Sequence, residues 1–163
     1  MGLFSFLKKA GASVISKKEA SKVKTDEIKK LEEKILNKQK EILLAGVVNS
    51  LGIKVKDLKV SFSGEKATVA GTVGTNAERE KIILAMGNVS GVATVSDKMI
   101  VKKKTPEAVM YTVKKGDTLG KISKAHYGDA KRYKEIFEAN KPMLKSANLI
   151  YPGQVLRIPN VKK

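Results

Sequence analysis

Hydrophobic residues recur at spacings of three and four in the stretch DEIKKLEEKILNKQKEILLAGVVNSLGI, which predicts an amphipathic helix. The apolar positions of this helix face are Ile28, Leu31, Ile35, Leu43, Leu44, Val47, Val48 and Leu51. Gly52 supplies the signal that ends the helix. Because residues 37–41 are polar all round, two shorter helices with a break there remain an alternative.

An alternating pattern follows this helix and predicts a β-hairpin. In DLKVSFSGEKATVAGTVG, Leu58, Val60 and Phe62 alternate with polar residues, and Val69 and Val73 do so after the GEK turn. Such alternation is typical of strands with one face packed on a core and the other in water. We expect helices to cover the apolar face.

A second helix and a third strand complete the first half of the chain. The segment NAEREKIILAMGN predicts a helix that ends at Gly87, and a strand is predicted from 92 to 101 after Gly91 breaks the chain. The order of helix, hairpin, helix and strand predicts an α+β sandwich, with helices on one face of a three-stranded sheet. We assign this domain to residues 1–102.

The rest of the chain predicts a second, smaller domain. The charged segment KKKTPEAV lacks periodicity and indicates a linker at residues 103–109. Two strand-like runs, YTV and VLRI, then enclose two short amphipathic helices at about 118–126 and 130–140. This βααβ order predicts a compact domain over residues 110–160.

The charge of the chain widens the range of partners to be considered. There are 33 Lys and Arg residues against 16 Asp and Glu, a formal net charge of +17. Such an excess favours polyanions, so non-specific binding to nucleic acid or an anionic membrane surface is an alternative function. Lysines are spread along the whole chain, however, and arginine occurs only as Arg79, Arg132 and Arg157. We therefore favour a solvated lysine-rich surface.

The inventory of reactive side chains argues against an enzyme. The chain has no cysteine, which removes disulfides, thiol catalysis and thiolate metal sites. His126 is the single histidine and therefore the one candidate imidazole base. We expect His126 to pack or cap near a helix end and expect the chain to have no catalytic residues.

The first residues, MGLFSFLKKAG, raise the question of a targeting signal. Their lysines follow the apolar residues, whereas a secretion signal carries its positive charge first. Myristoylation requires Ser or Thr at the sixth position, which is Phe6 here. No run approaches the roughly 18 uncharged apolar residues of a spanning helix. We expect the mature chain to start at or near Met1 and to stay in the cytoplasm.

The turn MGNVSGVATV offers a different kind of chemistry. It contains no carboxylate, imidazole or thiol, but it combines a helix end with two glycines. The last carbonyls of a helix lack intrahelical partners and can face a cation. Neutral carbonyls suit a large monovalent ion, whereas calcium or magnesium would recruit carboxylates. The alternative is that Gly87 only ends the helix in a left-handed conformation while Gly91 lets the chain turn.

Several motifs resemble known families. YTVKKGDTLGKIS, the HYGD turn, IFEANK and LIYPGQVLRIP together resemble the LysM module. The preceding hairpin VSFSGEKATVAGTV and the segment GNVSGVATVSDKM resemble a BON domain. BON followed by LysM, after a start such as MGLFSFLKKAG, resembles the small cytoplasmic potassium-binding proteins of bacteria. The lysine-rich helix from about 17 to 42 is longer than that family leads us to expect.

This resemblance implies a soluble potassium sensor or buffer in which the ion alters the arrangement of the two domains. It implies that main-chain oxygens hold K⁺ at Gly87, Val89 and Val92, and in the N-terminal turns at Leu7, Ala10 and Ala12. We expect Leu3, Phe4, Phe6 and Leu7 to form a short helical turn on the BON core. We expect the protein to be a monomer.

For the second domain, the resemblance implies a groove that binds polymers of N-acetylglucosamine, as in peptidoglycan. The implied groove residues are Gly116, Asp117, Thr118 and Leu119 on one loop and Leu149, Ile150 and Tyr151 on the other. A cytoplasmic protein seldom meets peptidoglycan, and Asp117 and Thr118 are also ordinary capping residues. A structural role or a protein-docking role for this groove is therefore the favoured interpretation, with a cell-wall adaptor as the alternative function.

Overall fold

The computed structural model describes residues 2–5 and 22–160 and confirms an α+β chain of two small domains. The first half contains β1 (Gly2–Ser5), α1 (Lys22–Ser50), β2 (Lys56–Ser63), β3 (Lys66–Thr75), α2 (Asn76–Gly87) and β4 (Thr94–Lys103). The second half contains β5 (Val109–Thr112), α3 (Leu119–Tyr127), a 3-10 turn (Ala130–Arg132), α4 (Tyr133–Ala139) and β6 (Val155–Ile158).

Helix α1 is a single helix, so the alternative of a break at residues 37–41 is wrong. Only its C-terminal half packs on the sheet, where Leu44 and Val48 are fully buried. Ile28 and Leu31 on the predicted apolar face are 57% and 59% exposed. The N-terminal half of α1 therefore projects beyond the sheet. The apolar spacing of the sequence continues into this exposed half of the helix.

The first sheet has the strand order β1-β4-β3-β2 in the described part of the chain. Strands β2 and β3 form the predicted antiparallel hairpin, whereas β3 and β4 are parallel because α2 crosses between them. Ala67, Val69 and Val73 alternate along β3, and all three are buried against the helices. The hydrophobic core of this domain lies between that sheet face and helices α1 and α2.

This sheet has one strand more than the three predicted from the sequence. Gly2–Ser5 pairs antiparallel with β4, and Ser5 lies opposite Thr94. The expected helical turn is therefore wrong for Leu3 and Phe4, while Phe6 and Leu7 lie outside the described residues. The free edge of β4 explains the difference, since an unpaired row of backbone donors and acceptors is a template for a further strand.

Helix α2 begins at a capping box that fixes its position after β3. The Thr75 hydroxyl accepts a hydrogen bond from the Glu78 backbone N–H, and the Glu78 carboxylate accepts one from the Thr75 N–H. Ile82, Ile83 and Met86 are buried, as predicted for the core face of this helix. Strand and helix therefore meet without a loop, which fixes where the C-terminal end of α2 falls.

The second domain has the predicted βααβ order. Strands β5 and β6 pair antiparallel, and α3 and α4 lie between them along the chain. The Thr118 hydroxyl caps α3 by accepting from the Lys121 N–H, and Gly128 ends α3 with a φ of 76°. Ile136 and Leu156 are fully buried in its core. Among the described helices of both domains, none is long and apolar enough to cross a membrane.

Candidate functional site

The turn that follows α2 differs from an ordinary glycine cap. Helix α2 continues through Gly87, and Asn88 ends it with φ −84° and ψ 0°. The left-handed residue is Gly91, at φ 83°, and Gly87 is not among the glycines with positive φ. The alternative in which Gly87 ends the helix in a left-handed conformation is therefore wrong, whereas the turning role of Gly91 is confirmed.

The carbonyl groups of this turn are only partly used by the protein. The Val89 carbonyl accepts from the Val92 N–H at 3.1 Å. Within residues 2–5 and 22–160, no backbone N–H donates to the carbonyl oxygens of Gly87 or Val92, although both residues are buried. Buried carbonyls are nearly always paired. Gly87 and Val92 are therefore the buried residues of the turn whose carbonyls have no backbone donor among the described residues.

A lysine from helix α1 reaches the same turn. The Lys40 ammonium donates to the Ser90 carbonyl oxygen over 2.6 Å, and it lies 5.9 Å from the centroid of the Phe62 ring. The Glu41 carboxylate accepts from the Phe62 N–H at 3.2 Å. Hydrogen bonds from Lys38 and then Phe62 hold the pKa of Glu41 below its ordinary value. Helix α1 is thus attached beside the turn by two adjacent side chains.

Asn88 connects this turn to the second domain. Its side-chain amide donates to the Val155 carbonyl and its side-chain oxygen accepts from the Val155 N–H, both at 3.1 Å. The same amide also donates to the Leu84 carbonyl at 2.9 Å, which ties it to the end of α2. The Asn88 side chain therefore forms both a donor and an acceptor hydrogen bond with the backbone of strand β6. The residues before and after Asn88 in the sequence are the predicted ligands Gly87 and Val89.

A buried ion pair also joins α2 to the second domain. The Arg157 guanidinium of β6 donates to the Glu80 carboxylate, and the two side chains are 10% and 5% exposed. The other Glu80 oxygen accepts from the Ala108 N–H at 2.8 Å. Asn76 donates to the Thr105 carbonyl. Helix α2 therefore holds both the predicted linker and the last strand of the second domain.

The first set of predicted glycan residues has structural roles. Gly116 lies in a turn at φ 85°, Thr118 caps α3, and Leu119 is 2% exposed in the domain core. The Asp117 carboxylate accepts from the Lys114 N–H and the Tyr111 hydroxyl, both at 2.8 Å. The hydrogen bond from the Lys114 N–H, together with that from Tyr111, lowers the pKa of Asp117. The hydrogen bond between Tyr111 and Asp117 raises the pKa of Tyr111.

The second set of predicted glycan residues contains two exposed side chains and one that packs on the core. Leu149 and Tyr151 are 64% and 47% exposed, whereas Ile150 packs against the domain core. Leu149 and Tyr151 line a cavity of about 480 Å³ between the domains, whose other walls include Val47 and Val89. The first loop contributes no residue to this cavity. The predicted glycan groove stays a prediction.

The remaining predicted residues add little to the site. His126 is exposed and meets the Tyr111 ring edge-on, with 5.5 Å between ring centroids. No group of three or more His, Cys, Asp or Glu side chains suited to a metal ion occurs in the described part of the chain. Leu7, Ala10 and Ala12 lie outside the described residues. Their predicted role as ligands stays a prediction.

Comparison with known proteins gives the class of the chain. A family model for the BON domain matches residues 36–103, and one for the LysM domain matches residues 111–159. The chain is therefore a BON–LysM protein, as its motifs predicted.

Full-length similarity identifies the family within that class. The chain is 45% identical over 162 residues to the potassium binding protein Kbp of Escherichia coli O6:H1, covering 98% of this chain and 99% of that protein. It belongs to the family of that protein. It is also 35% identical over 113 residues to an uncharacterized protein of Deinococcus radiodurans, and 38% identical over 77 residues to the uncharacterized protein YqbP of Bacillus subtilis. These matches cover 63% and 40% of this chain, and 44% and 35% of those proteins.

Sequence reasoning missed Asn88, Lys40 and the Glu80–Arg157 pair. Arg157 carried a usable signal, because an arginine inside the short apolar run VLRI must find a partner if the strand is buried. Asn88 and Lys40 gave none. An asparagine after a helix end and a lysine on a lysine-rich helix are ordinary in those places.

Proposed function

We propose that this chain binds potassium through main-chain carbonyl oxygens in the turn after α2, with Gly87, Val89 and Val92 as ligands. The observation that carries the proposal is the pair of buried residues, Gly87 and Val92, whose carbonyls receive no backbone donor from the described residues. Neutral carbonyl dipoles suit a weakly hydrated monovalent cation. The relative that matches along its full length is named a potassium binding protein.

The rest of the ligand set is proposed from the N-terminal segment, at Leu7, Ala10 and Ala12. Strand β1 supports this assignment, since Ser5 pairs with Thr94, only two residues from Val92. Leu7 follows Ser5 by two residues, which span at most about 7 Å. The end of strand β1 beside Thr94 therefore supports ligands from the residues that follow it.

We further propose that the ion acts as a signal or is buffered by the protein, and that its binding compacts the two domains. Asn88 supports this linkage, because it lies between two proposed ligands and pairs with Val155 of the second domain. A division of the chain at residues 103–109, a monomeric state and a cytoplasmic location belong to the same proposal. In this proposal the protein is a binding protein, which is how its Escherichia coli relative is named.

The test is a thermal unfolding series in potassium, sodium and lithium chloride at equal ionic strength. A ligand that binds only the folded state stabilises it by about 2.7 kcal/mol at one hundred times its Kd. We expect the Tm to rise with potassium well above the sodium and lithium curves. Coinciding curves across the millimolar range would contradict the proposal.

A deletion of residues 1–12 tests the N-terminal ligands. It also removes strand β1, so the readout is the difference between potassium and sodium melts within each variant, in which a general loss of stability cancels. We expect that difference to vanish while the second domain still unfolds cooperatively. A preserved difference would place the ligands elsewhere.

A second candidate function is peptidoglycan binding, favoured by the LysM match and by the exposure of Leu149 and Tyr151. The cavity beside these residues is also walled by the first domain, which supports a docking role over an open glycan groove. Co-sedimentation with purified peptidoglycan separates the two. Retention that survives moderate salt supports glycan binding, whereas loss in salt indicates attraction by charge.

A further inference from the structure

The contact between Lys40 and the turn places a positive charge beside the proposed potassium ligands. The Lys40 ammonium lies 2.6 Å from the Ser90 carbonyl oxygen, so a positive charge already rests on the segment proposed to bind potassium. Ser90 directly follows Val89 and precedes Val92 by two residues. With about 3.8 Å between successive Cα atoms, the Cα atoms of Val89 and Val92 lie at most about 4–8 Å from that of Ser90, so the ammonium is close to both proposed ligands.

Nothing described around Lys40 cancels its charge. Within the described ranges, no carboxylate lies within salt-bridge distance of its ammonium. No side chain separates it from the turn either, because a Cβ placed on Gly91 would lie 3.4 Å from the Lys40 nitrogen. Among the described residues, no carboxylate therefore neutralises the ammonium beside the turn.

The position of this charge is fixed by the packing of α1. Leu44, one helical turn beyond Lys40, is fully buried in the core of the first domain. Glu41 is attached to the Phe62 backbone N–H, and the Lys40 ammonium lies over the ring of the same phenylalanine. A charge held in this way acts on the turn at every potassium concentration.

We propose that Lys40 sets the potassium affinity of this turn by lowering it, and so shifts the response of the protein to higher potassium concentrations. This inference rests on the proposed potassium site and assigns it an affinity-determining residue that is not a ligand. A like charge at this distance, partly screened by water, corresponds to a change in Kd of about threefold to tenfold.

The test measures potassium Kd by calorimetry on the full chain, with ionic strength held constant by choline chloride. Lys40→Met keeps the apolar length of the side chain and removes its charge, and Lys40→Arg keeps the charge. Lys34→Met is the matched control, since it removes one charge from an exposed position of the same helix. We expect Lys40→Met to bind potassium about threefold to tenfold more tightly, and the other two variants to stay within about twofold of the wild type.

Two results would overturn the inference. An unchanged Kd in Lys40→Met would show that the charge does not reach the site, and a weaker affinity would show that Lys40 supports the geometry of the turn. Failure of the underlying proposal looks different, because the wild-type chain itself would then show no potassium binding in the same titration. The three variants therefore separate the role of Lys40 from the existence of the site.

Discussion

Replacing Arg157 by methionine should destabilise the protein far more than its single charge suggests. The guanidinium pairs with Glu80 in a junction where both side chains are nearly excluded from water, at 10% and 5% exposure. Methionine fills similar volume but leaves the Glu80 carboxylate with one described donor, the Ala108 N–H at 2.8 Å. A buried charge that loses its partner costs about 3–5 kcal/mol.

The structure also predicts how that cost can be recovered. Adding Glu80→Met to Arg157→Met removes the orphaned charge, and apolar replacement of a buried pair is often neutral or stabilising. The double variant leaves only the Ala108 N–H without its acceptor, at about 1–3 kcal/mol. We therefore expect the double variant to be more stable than Arg157→Met alone.

Urea unfolding followed by circular dichroism measures these differences in the full chain. Lys141→Met is the control, because Lys141 and Glu138 form an exposed ion pair at 46% and 63% exposure, which contributes roughly 0–1 kcal/mol. Since Glu80 and Arg157 lie in different domains, Arg157→Met is also expected to split the unfolding curve into two transitions. If Arg157→Met cost no more than Lys141→Met, the pair would not be the buried junction described above.

Two further predictions concern the domain contact and the pH response. Asn88→Ala should lower the free energy of unfolding by about 1–2 kcal/mol. It should also abolish potassium-dependent compaction in small-angle scattering, while potassium still raises the Tm. Unchanged compaction would show that Asn88 does not link the ion to the second domain. Asp117→Asn should cost about 1 kcal/mol at pH 7. Because the folded pKa of Asp117 is lowered, chiefly by the Lys114 N–H, this contribution is present above the unfolded pKa of about 3.9 and is lost as pH falls through the folded pKa. In urea unfolding between pH 7 and 2, the difference from wild type should shrink below about pH 4, and a constant difference would refute this reading.

Local patterns were sufficient for most of the fold. The alternation that marks Val69 and Val73 places both in the core, and the apolar spacing of Ile82, Ile83 and Met86 identifies the buried face of α2. The same reasoning failed for the outer half of α1. Its apolar residues keep helical spacing without packing on the domain, because periodicity reports a helix face but not what covers it.

The contacts that assemble the site lie beyond local reasoning. Asn88 and Val155 are 67 positions apart, and Lys40 and Ser90 are 50 apart. No spacing rule links residues so distant, and main-chain ligands leave no trace in side-chain identity. The turn itself was recognisable because it combines a helix end, two glycines and no acidic residue, whereas the partners that surround it appear only once the domains are packed.

The pairing of β1 with β4 also affects how the chain folds as it is synthesised. Gly2 pairs with Asp97, so strand β1 is synthesised well before its partner strand, which is made near the end of the first domain. At about 5–20 residues per second, that delay is roughly 5–20 s. The hairpin and α2 can form from nearby residues during this time, since contacts close in sequence form early. The edge of the sheet next to the turn is therefore expected to close last, and the proposed potassium site would mature only after the rest of its domain has folded.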